Sequence, residues 1–138
     1  MENGDPSILG ALDFLTLVLV CSGICMGVLL TGSEEDRNLA KRGLTINMLC
    51  GDFIEACYPH MEKNWIVNMG GYLGSSISAT VLSGTCKTSA YLPFPISIWL
   101  SNDWSTLLYA SIFAFMLPLF ATLLNFSVMV SRNAKRED

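Results

Sequence analysis

Apolar positions in this chain gather into three long runs without a charged residue, 14–33, 64–86 and 104–131. Each reaches the ~20 residues needed to cross a hydrocarbon core of ~30 Å. The run Phe14-Leu15-Thr16-Leu17-Val18-Leu19-Val20 is apolar on every side, as a helix facing lipid or wholly enclosed must be. The pattern predicts an all-α polytopic membrane protein with three transmembrane helices over about 8–31, 65–85 and 105–130. Pro6 suits the first turn of the first helix, and Gly32-Ser33 ends it. Pro118, near the middle of the third, removes a backbone hydrogen bond and is expected to bend it.

The polar segments between the runs have patterns of their own. Ser33 followed by Glu34, Glu35 and Asp36 is a helix start, with a capping hydroxyl and negative charge in the first turn. Leu39, Ile46, Leu49, Cys50, Phe53 and Cys57 then recur at helical spacing, while Asp52 and Glu55 fall elsewhere. This predicts an amphipathic helix over 33–57 along the membrane interface, with Gly43 as the point where it would break. Its second half is too acidic for a fourth span. Segment 87–103 is too short to span and is interrupted by Pro93 and Pro95, so its aromatics are expected to lie on the surface. Trp99 and Trp104 are the expected interfacial anchors on that side, and Trp65, with Tyr58, on the other.

The second run has the most distinctive composition. Gly71, Ser75, Ala79 and Ser83 recur every fourth residue, and Gly70, Gly74 and Ser78 form the adjacent row. In lipid, helices gain nothing by hiding apolar surface from one another, and close backbone approach drives association. These seven positions are the expected helix-packing face, toward a neighbouring helix of the same chain or toward another subunit.

Composition and charge sharpen the membrane reading. The 138 residues leave room for one unit, so 1–138 is a single integral-membrane body. Charged residues make up only 14%, against about 25% in soluble domains. With three spans, Arg37, Lys41, Arg42, Lys63, Arg132, Lys135 and Arg136 share one side, and Lys87 alone lies on the other. By the positive-inside rule the N-terminus is then non-cytoplasmic and the C-terminus lies on the positive-inside face. The acidic leader (Glu2, Asp5, Asp13) does not resemble a secretory signal. That and the absence of an extracellular disulfide pattern lean the expected compartment toward an organelle membrane. Nucleic acid is an unexpected partner for a chain of net charge −4 with no extended basic patch.

Candidate chemistry is sparse. Asp13, a turn or so into the first span, and Asn125, in the third, are the intramembrane polar candidates. Asp13 lies close enough to the edge to reach headgroups, and Asn125 is expected to hydrogen-bond a neighbouring helix. His60 is the only histidine, so no two-histidine site forms within one chain. Cys50, Cys57 and His60 lack the spacing of a structural zinc site, and packing is their expected role. Cys21 and Cys25 lie in the first span and Cys86 at the far end of the second, and no disulfide framework is expected. No nucleophile elbow, P-loop, dinucleotide fingerprint or metalloprotease motif is present. No catalytic, metal or cofactor site is expected, with bound lipid the one allowance.

These observations favour a small non-catalytic accessory subunit of a larger membrane complex, surrounded by other membrane subunits and lipid. A small homo-oligomeric channel or transporter would need Asp13, Asn68 and Asn125 on a common axis. A membrane adaptor would bind a soluble partner through 33–57.

Overall fold

In the computed structural model of the chain, residues 7–50, 54–82, 86–88 and 93–137 are described. Every regular element among them is helical, and an isolated antiparallel bridge pairs Ser7 with Thr88. Helix α1 runs Ile8–Thr31, α2 Glu34–Cys50, α3 Tyr58–Lys63, α4 Trp65–Leu82, α5 Phe94–Trp99 and α6 Trp104–Glu137, with a 3₁₀ turn at Ile54–Ala56. Within α1, Phe14–Leu19 is π-helical, and the Val20 amide donates five residues back, to the Leu15 carbonyl.

Two of these helices are long and apolar enough to cross a membrane, Ile8–Thr31 and Trp104–Ser131. The third expected span falls short of that measure. Helix α4 has 18 residues, about 27 Å at 1.5 Å per residue, but glycine and hydroxyl residues dilute its hydropathy. The position Ser83 and the rest of the expected end of this helix lie outside the described residues.

Three helices form the body. A side chain on Gly23 of α1 would collide with the Phe115 carbonyl oxygen, and one on Gly27 would stand 2.6 Å from Thr122 Cβ. Residue numbers rise together along this seam, so α1 and α6 run parallel. A side chain on Gly70 of α4 would collide with Ala121, and one on Gly74 would stand 3.0 Å from the Pro118 ring. Here numbers run in opposite senses, so α4 is antiparallel to α6. The small-residue face is thus used largely inside the chain. Gly70, Gly71, Gly74 and Ser78 are buried, and Ser75 and Ala79 are half-buried. Pro118 fits into the notch left by Gly74, and α6 continues through it as helix.

Helix α2 departs from expectation in two ways. Its described part runs to Cys50, with 51–53 (and so Asp52 and Phe53) outside the described residues, and the expected last turn is 3₁₀ at Ile54–Ala56. It also turns back against α1 instead of lying across the end of the bundle. Ala40, Gly43 and Asn47 are its buried positions, and Asn47 hydrogen-bonds with Cys21, well up the length of α1. The face that packs on α1 is the small-residue one, and Leu39, Ile46, Leu49 and Cys50 of the expected apolar face are exposed, Leu49 by 63%. Close contact with α1 selects small residues, so Gly43 is a packing position in a helix that does not break there. The expected cap is present. The Ser33 hydroxyl accepts from the Asp36 amide and donates to the Asp36 carboxylate at 2.6 Å, closing the first turn.

Candidate functional site

The two ends of the bundle differ in how their polar groups are satisfied. At the upper end, where α1 and α6 begin, Ser7 and Thr88 exchange backbone hydrogen bonds of 2.9 and 3.2 Å. The Thr88 hydroxyl donates to the Ser97 carbonyl, and the Lys87 amide to the Asn102 side chain. Asp103 caps α6 by accepting from the Thr106 amide and the Ser105 hydroxyl, which hold its carboxyl below the usual aspartate value. Phe14 stacks on Phe94 with ring centroids 5.8 Å apart.

At the lower end, the close of α1, the end of α3, the start of α4 and the α6 segment 122–130 surround a cavity of about 450 Å³. Val28, Val67, Phe126, Met129 and Val130 give it an apolar wall. Ser33, Asp36, His60, Lys63, Asn64 and Asn125 supply polar groups. His60 is only 6% exposed, and its Nε2 finds no hydrogen-bond partner. Burial pushes the imidazole below the usual histidine value, with nearby Lys63 acting in the same sense and Asp36 opposing. The ring is therefore neutral near pH 7, with one nitrogen a donor and the other an acceptor. An unanswered buried nitrogen of this kind costs about 1–3 kcal/mol.

Asn125 lines this cavity instead of bonding to another helix, as the sequence suggests it should. Its amide reaches only Met129 Sδ, 3.7 Å away on the same helix. Asp13 stands half-buried toward the opposite end and makes no capping bond, the cap of α1 being Ser7. Asp13 and Asn125 therefore do not meet. Trp65, Trp99 and Trp104, the expected interfacial anchors, are all exposed, Trp99 by 85%.

The cysteines fall into separate surroundings. Cys21 and Cys25 approach to 4.0 Å between sulfurs, and Cys57 lies 3.8 Å from Met61 Sδ. A hydrogen bond with Cys21, together with burial, pushes the Cys57 thiol up, so this sulfur stays protonated and unreactive. Cys50 is exposed at the end of α2, and His60 belongs to the cavity, so Cys50, Cys57 and His60 do not form a common site. Among the described residues no group of three or more His, Cys, Asp or Glu side chains is placed to hold a metal ion.

The sequence offers little that singles out the cavity. His60 stands out as the one histidine, just before an apolar run, and that is the only signal that could have drawn attention to it. Compared with protein families, curated proteins and solved structures, the chain matches none.

Proposed function

We propose that this protein is a small non-catalytic accessory subunit, embedded in a membrane with three crossings and surrounded by lipid and larger membrane partners. The observation behind this reading is the outer surface of the bundle. Leu108, Ile112, Phe113, Phe120 and Leu124 of α6 are exposed, and α4 continues the apolar belt with Tyr72, Leu73 and Ile77. No charged residue lies between Trp104 and Ser131. A belt this wide is unfavourable in water and suits contact with lipid or membrane subunits.

The parallel course of α1 and α6 supports three crossings. If both cross, the chain must return between them, and α4 is the antiparallel element available. Its low hydropathy is no obstacle, because Gly70, Gly74 and Ser78 face the interior. The Ser75, Ser78 and Thr80 hydroxyls donate to carbonyls of their own helix, which satisfies them without water.

Helix backbones meet directly at Gly23 and Gly70, so a pore would have to lie between copies of the chain.

In intact vesicles, a membrane-impermeant thiol reagent should label Asn3→Cys and not Asn133→Cys, both placed in a background with Cys50 replaced. Labelling at both positions or at neither would discard the three-crossing arrangement. In a mild detergent, the tagged protein should migrate with other membrane proteins, and a species containing this chain alone would discard the subunit role.

A further inference from the structure

The lower cavity has the chemistry of a headgroup site. Its wall is divided: Val28, Met129 and Val130 are apolar, whereas Asp36, His60 and Lys63 bring one negative group, one neutral imidazole and one positive group. His60 is buried and, among the described residues, nothing answers its Nε2, which leaves that nitrogen for a ligand drawn close to the ring. Neither Asp36 nor Lys63 is within ion-pair distance of an opposite charge among the described residues, although both line the same space.

The cavity's place in the fold selects among ligands. Phe126, Met129 and Val130 are also exposed at the surface of α6, so its apolar side continues into the outer belt. A soluble metabolite would leave that side unmatched. An amphiphile with one charged end would use both. We propose that the lower cavity takes the phosphate-bearing headgroup of a phospholipid, with His60 Nε2–H and the Lys63 ammonium directed to the phosphate and the acyl chains leaving along Phe126, Met129 and Val130. Asp36 suits an ammonium on the same headgroup, which makes a zwitterionic lipid such as phosphatidylethanolamine the fitting class. This rests on the membrane reading above.

The test uses the full-length protein in detergent, titrated separately with phosphatidylethanolamine, with diacylglycerol of the same chains and with inorganic phosphate. Because the chain has one histidine, ¹⁵N-imidazole labelling yields the two ring-nitrogen signals of a single side chain, and the Nε2 signal reports this site. Phosphatidylethanolamine should shift that signal and remain bound one-to-one in native mass spectrometry, while the other two do neither. His60→Leu and, at an exposed position, Lys63→Gln should each lower retention about tenfold, as expected for losing a charge-assisted hydrogen bond. Trp99→Ala, at the opposite end, should leave it unchanged. Equal retention of diacylglycerol, an equal shift with phosphate alone, or indifference to both cavity substitutions would each overturn the proposal. Alkaline extraction of vesicles separates the two readings. Wild-type protein released by carbonate would discard the membrane reading and the lipid site together; protein that resists extraction but holds no lipid would discard the site alone.

Discussion

The upper and lower ends of this bundle are built from similar materials, short polar segments joining long apolar helices, yet they are finished differently. At the upper end, Ser7, Thr88, Ser97 and Asn102 answer one another's donors and acceptors, and Phe14 and Phe94 close the space beneath them. At the lower end, α3 and the first turn of α2 stand apart from α6 around a cavity where His60 Nε2 is unanswered. The difference separates holding from receiving. A network whose members satisfy one another ties segments in place, whereas one that buries an unanswered group is unfavourable until something completes it.

The broadest challenge to this contrast is to remove the seam on which both ends depend. Gly70→Leu would drive a side chain into Ala121 and should cost about 1–3 kcal/mol or more. Thermal unfolding in detergent would register it, together with loss of the upper ties and the lower cavity. A drop no larger than that of Ile77→Leu would mean the seam is looser than the contacts at Gly70 and Gly74 imply. Next in size is Thr88→Val, which removes a buried hydroxyl from the Ser97 carbonyl and should cost about 1–2 kcal/mol.

His60→Leu should behave in the opposite sense. In lipid-free detergent it removes an unsatisfied nitrogen, so stability should hold or rise by up to about 1 kcal/mol. A loss matching that of Thr88→Val would show the lower end to be as closed as the upper. The smallest effect is in pH. The folded-state value of His60 is depressed, so its contribution is fully present above the unfolded value of about 6.5 and is lost as pH falls toward the folded one. Stability should therefore decline on acidification below that point, and His60→Leu should remove this part of the decline, leaving that due to carboxylates such as Asp103, whose value is also lowered.

What the sequence reveals of this fold is what short stretches of chain determine. The helix over 8–31 and the Ser33 cap each rest on residues within a few turns of one another, and both are found. The face of helix α2 that packs on α1 is not legible, because Leu39, Ile46 and Leu49 outweigh Ala40 and Gly43 in any hydropathy pattern, yet close packing favours the small ones. The cavity is less legible still. Val28, His60 and Thr122 come from distant parts of the chain, and only the register of three packed helices brings them to one space. Asn125 shows the same limit: its type was noticed in sequence, but its surroundings are set by where α6 meets α1 and α4.

The π-helical stretch at Phe14–Leu19 sets a phase between the two halves of α1. A hydrogen bond reaching five residues back absorbs one residue more than an α-helical turn would. Ordinary α-helical bonding over the same residues would instead rotate everything before the stretch by ~100° relative to Val20–Thr31. Ser7 would then no longer face Thr88, and Phe14 would turn away from Phe94, while the cavity at the other end kept its geometry. The extra residue therefore acts as a timing element. It lets one continuous helix serve two differently finished ends, each aligned to its own neighbours.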